Sequence, residues 1–317
     1  CWRAGCREFV ICAGSRNSPL VLELLSLAER TEEVRVWNFY EERSAAFFAL
    51  GRSKITGIPT TVVTTSGTAA AELLPAVIEA HYSNVSLILV TADRPLKYRD
   101  SGAPQTINQK GLMDPFTENS LDIHVADLTG LSKLSHRGVT NQRWHINVCF
   151  DEPLISESEG KQIKLFSAED QTVSLVKVPT LEPDVLDVFI GDREGLVVLC
   201  GYLRPEQRSP RVFQWLKRLG CPIWAEASSG LRENESLSDL IIRSGDKYFS
   251  KNPPTKVLRI GEVPSLRFWR DLETLRKTDV LSVDPPNGYS GLGRYSQTLV
   301  CDLEDLIEVL PLEEQDG

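Results

Sequence analysis

The feature that most narrows what this chain can fold into is an alternation. Short apolar, β-branched runs recur along it, and a segment with helical spacing separates each from the next. In the first half, residues 8–12, 34–38, 60–65 and 86–92 read as strands with little polar interruption. Strands that are apolar on both faces belong in parallel sheets covered on both sides. After the first strand, Pro19 suits an opening helical turn, and Leu20, Val21, Leu24, Leu25 and Leu27 follow at helical spacing. Residues 42–52 predict a second helix. A third is expected from residue 68 to about 81, burying Ala69, Leu73, Ala76, Val77 and Ala80. Residues 145–150 add a further strand. The pattern restarts at 196–201 and continues through strands near 222–225, 257–261, 280–284 and 299–302. Helices are expected there over 205–219, from Ser265, and over 303–310.

This is an α/β chain with two doubly wound parallel-sheet domains. Their expected bounds are residues 1–154 and 191–312, with a polar linker at 155–190 and a tail at 313–317. Residues 98–119 lose all periodicity, and long irregular segments of that kind are often functional. The length of 317 residues suits two domains. A net charge of -9 argues against a general nucleic-acid surface. No apolar run is long enough to span a bilayer, and the first residues lack a signal-peptide pattern. The seven cysteines are scattered and lack metal-site spacing, which fits a reducing cytoplasm. Met113 is the only methionine and the chain opens on Cys1, so truncation is expected at its start.

Ligands of open α/β sheets bind at the carboxyl ends of the strands. Polar residues collect at those positions here. Ala13-Gly14-Ser15-Arg16-Asn17-Ser18-Pro19 follows the first strand, and its glycine, hydroxyls and arginine could hold an anion. A capped turn with a surface arginine is the plainer alternative. Glu41-Glu42 follows the second strand, where acids also simply favour a helix start. Thr64-Thr65-Ser66-Gly67-Thr68 follows the third and resembles a phosphate cradle without the P-loop pattern. Asp93-Arg94-Pro95 ends the fourth, where an Asp93–Arg94 ion pair bracing the turn would need no functional explanation. Gln105 sits in the irregular segment. His145, inside a strand, reads as a packed or hydrogen-bonded residue rather than a metal ligand. Arg16, Glu42, residues 65–68 and Arg94 should converge on one sheet edge. That edge would suit a small multi-anionic substrate beside a group that needs a carboxylate partner.

The order of these motifs resembles one family. Residues 12–19, Glu41-Glu42-Arg43, Thr65-Ser66-Gly67-Thr68-Ala69, Thr91-Ala92-Asp93-Arg94-Pro95, Gly102-Ala103-Pro104-Gln105 and His145-Ile146-Asn147 are similar, in sequence order, to the N-terminal part of the 2-succinyl-5-enolpyruvyl-6-hydroxy-3-cyclohexene-1-carboxylate synthases. These are thiamine-diphosphate enzymes of the menaquinone pathway. The resemblance is strong over residues 1 to about 154 and looser over 195–312. It implies a pyrimidine-binding domain, then a central domain, with a third, pyrophosphate-binding domain expected beyond this chain. The Gly-Asp-Gly/Ser motif that holds Mg²⁺ and the diphosphate in that third domain has no match here; Gly191-Asp192-Arg193 and Gly245-Asp246-Lys247 are the nearest strings.

By the same resemblance Glu42, and not Glu41, is the carboxylate that meets the aminopyrimidine ring of thiamine diphosphate. Thr65, Ser66 and Gly67 match cofactor-lining positions. Ser15, Arg16, Arg94 and Gln105 match positions that line the substrate site, and Arg267 resembles an arginine sent there by the central domain. Leu266 stands where the family often has a basic residue. The implied reaction decarboxylates 2-oxoglutarate and adds the product unit to isochorismate, in a cytoplasmic homo-oligomer. The isolated chain is expected to be inactive. The alternatives are a relative of acetolactate synthase, or a non-catalytic two-domain binding protein.

Overall fold

The computed structural model describes residues 1–124, 142–155, 183–275, 277–284, 288–293 and 296–309. It divides into two compact units, Cys1–Ser174 and Leu175–Gly317. The expected linker at 155–190 lies mostly outside the described residues; its last part, Pro183–Gly191, is a helix that buries Leu186 and Ile190 in the second unit's core.

In the first unit β1 (Glu8–Cys12), β2 (Arg35–Phe39), β3 (Thr60–Thr64), β4 (Leu87–Asp93), β5 (Asn119–His124) and β6 (Arg143–Cys149) form one sheet in the order β2-β1-β3-β4-β6-β5. Every pairing in it is parallel. Alternate residues serve opposite faces. Val10, Val62, Leu87 and Leu89 pack against α2 (Glu42–Thr56) and α4 (Leu74–Tyr82), while Phe9, Ile11, Val63, Ile88 and Val90 form the other core with α1 (Ser18–Arg30). The expected third helix is broken into α3 (Thr68–Ala71) and α4, because Pro75 opens a new helix rather than continuing the old one. Strand β5 has no counterpart in the expected elements. Its Leu121/Ile123 alternation is short and sits on an edge, where one face stays polar.

The second unit repeats the design in the order β11-β10-β9-β7-β8, again all parallel. Its strands are β7 (Leu196–Cys200), β8 (Ile223–Ala225), β9 (Lys256–Ile260), β10 (Asp279–Asp284) and β11 (Gln297–Val300). The helices are α5 (Pro183–Gly191), α6 (Pro210–Leu219), α7 (Gly245–Lys251), α8 (Arg267–Asp271) and α9 (Leu303–Val309). The helix expected over 205–219 starts only at Pro210, where the Ser209 hydroxyl accepts from the Val212 N–H; a short 3-10 turn precedes it.

Each sheet reverses its winding direction beside its first strand, between β1 and β3 and between β7 and β9. Such switch points open a crevice at the strands' carboxyl ends. Both are closely packed. A Cβ on Gly14 would stand 2.7 Å from Thr65 Cβ, and one on Gly201 would collide with the Glu262 carbonyl.

Candidate functional site

The carboxyl edge of the first sheet is built turn by turn. After β1, the fully buried Asn17 side chain holds the turn closed: its Oδ1 accepts from the Gly14 N–H at 2.7 Å, and its Nδ2 donates to the Cys12 carbonyl at 2.9 Å. Arg16, 9% exposed, points toward the end of β6. It donates to the Phe150 carbonyl at 3.2 Å and pairs with Glu152 at 3.2 Å. Ser15 is exposed on the same turn.

After β2 the two glutamates separate. Glu41 is the cap of α2, its carboxylate accepting from the N–H groups of Arg43 at 3.1 Å and Ser44 at 2.7 Å, and from the Ser44 hydroxyl. These bonds, the Ser44 hydroxyl foremost, hold its carboxyl below the usual range. Glu42 is half-buried, and no donor among the described residues bonds its carboxylate. The Cys12 thiol, pushed up to about 12 by burial and then by Glu42 and Glu41, places those carboxylates close to the end of β1.

After β3, Thr65 and Ser66 are buried, and the Thr65 hydroxyl has no hydrogen-bond partner. Gly67 takes φ 82° and ψ -141°, a conformation that a side chain disfavours. Gln105 brackets this turn: its carbonyl accepts from the Ser66 hydroxyl at 3.1 Å, and its Nε2 donates to the Ser66 carbonyl at 3.1 Å. After β4, Arg94 Nε donates to the Pro104 carbonyl at 3.0 Å. The expected Asp93–Arg94 ion pair is replaced. Asp93 is fully buried and pairs with Arg99 at 3.2 Å, because the chain reverses after Pro95 and returns Arg99 over the strand ends.

Ser15, Arg16, Glu42, Thr65, Ser66, Gly67, Arg94 and Gln105 therefore all follow strand carboxyl ends of one sheet or lie in the loop laid over them. Arg267 belongs to the other unit, exposed at the start of α8 and 3.8 Å from Asp271. Leu266 is buried against the core there, which explains an apolar residue at that position.

Sequence reasoning missed Asn17, Gln109, Asn147, Arg99 and Asp122. Strand register puts Thr91, Asn147 and Asp122 in one row across β4, β6 and β5. The signal was the polar half of the alternation in β5 and β6, which carries meaning only once both strands are known to be neighbours. His145 shares that face: its Nε2 meets the Thr91 hydroxyl at 2.9 Å, and burial pushes its pKa down to about 4. Asp93, Asp122 and Cys149 cluster closely enough for a metal, but the Arg99 guanidinium already occupies the centre, 2.6 Å from Asp122 and 3.2 Å from Asp93 and Cys149.

Comparison with known proteins places part of this chain beside a known domain family. Residues 2–112 match the family model of the thiamine pyrophosphate enzymes' N-terminal TPP binding domain. The chain is 40% identical to a 2-succinyl-5-enolpyruvyl-6-hydroxy-3-cyclohexene-1-carboxylate synthase of Bdellovibrio bacteriovorus, over 96% of this chain and 56% of the relative. It is also 40% identical to the synthase of the same name from Akkermansia muciniphila, over 98% of this chain and 56% of that protein. The chain thus spans about half the length of the curated relatives it matches. Among solved structures, the thiamine diphosphate-dependent 4-hydroxybenzoylformate decarboxylase of Rhodococcus jostii RHA1 superposes with a TM-score of 0.67 at 14% identity, covering 100% of this chain and 61% of the other. That likeness shows the α/β fold. No helix among the described residues is long and apolar enough to cross a membrane.

Proposed function

We propose that this chain is the N-terminal part of a thiamine-diphosphate-dependent synthase that decarboxylates 2-oxoglutarate and joins the product unit to isochorismate, in menaquinone or phylloquinone biosynthesis. The similarity to the named synthases supports the reaction. The observation that carries the site is the division of labour between two adjacent acids: Glu41 is consumed in capping α2, and Glu42 keeps a carboxylate with no hydrogen-bond partner among the described residues.

The residues on this edge fit the cofactor. Glu42 offers a free acceptor, Thr65 a buried hydroxyl without a partner, and Gly14 and Gly67 leave no room for side chains beside them. Bound there, thiamine diphosphate would supply an acidic thiazolium carbon as the nucleophile and the cationic ring around it as the electron sink for decarboxylation. Glu42 would hydrogen-bond a nitrogen of the pyrimidine ring and hold a proton there, which is acid–base work set by position. Thr65, Ser66 and Gly67 would line the cofactor. Arg16 and Arg94 would receive substrate carboxylates, with Ser15 and Gln105 beside them. Arg16 already holds two acceptors, the Phe150 carbonyl and the exposed Glu152 carboxylate, and a substrate carboxylate would take the place of Glu152. Arg267, exposed on the proposed central domain, is a further proposed substrate-binding residue. Residues 1–154 and 191–312 are the proposed pyrimidine-binding and central domains. Mg²⁺, held elsewhere in the polypeptide, homo-oligomerisation and a cytoplasmic setting complete the reading.

The test supplies the full-length polypeptide with thiamine diphosphate, Mg²⁺, 2-oxoglutarate and isochorismate, and follows loss of 2-oxoglutarate. Carbon dioxide release from 2-oxoglutarate coupled to isochorismate consumption is expected. Turnover of pyruvate with no use of 2-oxoglutarate would overturn the assignment in favour of an acetolactate-type reaction.

A further inference from the structure

Beneath the turn after β3 lies a chain of buried amides whose orientations are mutually fixed. It starts at two carboxylates. Asp93 and Asp122 both accept from the Arg99 guanidinium, and the Asn147 side chain turns its NH₂ end toward the same two carboxyl groups. Its Nδ2 donates to both, at 2.9 Å each. The Asn147 Oδ1 then faces the opposite way and accepts from the Thr91 hydroxyl at 2.8 Å and from Gln109 Nε2 at 2.8 Å. Gln109 Nε2 donates to the Ala92 carbonyl as well, at 3.1 Å. This leaves Gln109 Oε1 pointing at β3, where it accepts from the Gly67 N–H at 2.8 Å. Both amides are buried, Gln109 fully. Reversing either one would set donor against donor or carbonyl against carbonyl along the whole chain.

We propose that Gln109, locked by Asn147, is a positioning residue for the thiamine-diphosphate site, holding the Ser66–Gly67 turn in the conformation in which it lines that site. This rests on the function proposed above. Gly67 takes a backbone conformation open to glycine alone, and because glycine can take many others the turn must be held by its surroundings. Gln109 draws its N–H into the protein, so Gly67 serves the site by its shape and not as a donor. Thr65 stays seated against Gly14 with its hydroxyl unpaired. The irregular segment after β4 thus does two things: Gln105 brackets the turn from outside, and Gln109 ties it from inside to an ion cluster at the far edge of the sheet.

The experiment examines Gln109→Met, which removes all three bonds of the side chain, in the full-length polypeptide. Ile123→Val in β5 serves as a control that loosens the core nearby without touching the amide chain. Hydrogen exchange of the Gly67 amide should quicken about tenfold in Gln109→Met and stay near wild type in Ile123→Val. Titration with thiamine diphosphate and Mg²⁺ should show about tenfold weaker binding for Gln109→Met only. Wild-type protection of Gly67 in Gln109→Met, an equal loss in Ile123→Val, or unchanged cofactor affinity in Gln109→Met each overturns the proposal. If the wild type takes no thiamine diphosphate while Gly67 responds as expected, the functional reading fails and the role of Gln109 in holding the turn stands.

Discussion

Acidification should loosen the first unit through His145, and the size of the effect follows from its position. The ring is fully buried between β4 and β5. Its one hydrogen-bond partner among the described residues is the Thr91 hydroxyl, which spends its own proton on Asn147. His145 must therefore be the donor, neutral and protonated on Nε2, with Nδ1 left without a partner. Burial lowers its pKa from 6.5 to about 4, against the weaker opposing pull of Asp114 and Asp122. A depressed histidine pKa means that the unfolded chain takes up a proton at a higher pH than the folded one. Stability is then full above pH 6.5 and is lost as pH falls toward 4. The gap corresponds to roughly 3 kcal/mol in total, of which roughly 2 kcal/mol is gone by pH 5. The carboxyl groups held below their usual range, Glu8, Glu41, Asp122, Asp151 and Asp192, lose their contribution only as pH falls through and below the ordinary carboxylate range. The assay is hydrogen exchange at β4 and β6 amides from pH 7.5 to 5, in wild type and in His145→Gln, whose amide can still donate to Thr91. Wild type should lose protection steeply and His145→Gln much less. Parallel slopes in the two proteins would refute the reasoning.

Other perturbations separate structural from functional roles. Arg99→Met leaves the fully buried Asp93 and the partly buried Asp122 without their cation and should cost roughly 3–5 kcal/mol in chemical denaturation; a loss well under 1 kcal/mol would show that the cluster is solvated. Gly201→Ala drives a Cβ into the Glu262 backbone and should destabilise the second unit by roughly 1–3 kcal/mol, read by exchange in β7 and β9. Unchanged protection there would mean that the β7–β9 crevice opens easily. Arg16→Lys should raise KM for the dicarboxylate substrate and leave thiamine-diphosphate affinity unchanged, since a lysine cannot grip a carboxylate bidentately.

The strands and the polar turns that follow them were legible because they depend on local pattern. Apolar runs gave β1 to β4 and β7 to β10, and polar residues at their ends marked the edge. What escaped depends on neighbours that sequence cannot supply. Pro75 divides a continuous apolar periodicity, and only the observed helix start shows which side it belongs to. Strand β5 is recognisable once β6 lies beside it, and the same is true of the Thr91–Asn147–Asp122 row. Arg99 looked like loop and Asp93 like the partner of Arg94; a chain reversal within a few residues exchanged those roles. Glu41 and Glu42 were equivalent acids by composition, and only the cap geometry shows that one of them is already engaged.

The central claim is that Glu42, and not its neighbour, does the chemistry. It is tested most directly by turnover of 2-oxoglutarate with isochorismate in the full-length polypeptide carrying Glu42→Gln or Glu41→Gln. The account predicts that Glu42→Gln abolishes turnover, while Glu41→Gln keeps it and lowers the melting temperature through the weakened cap of α2. Equal loss of turnover from both substitutions, or survival of activity in Glu42→Gln, would contradict it.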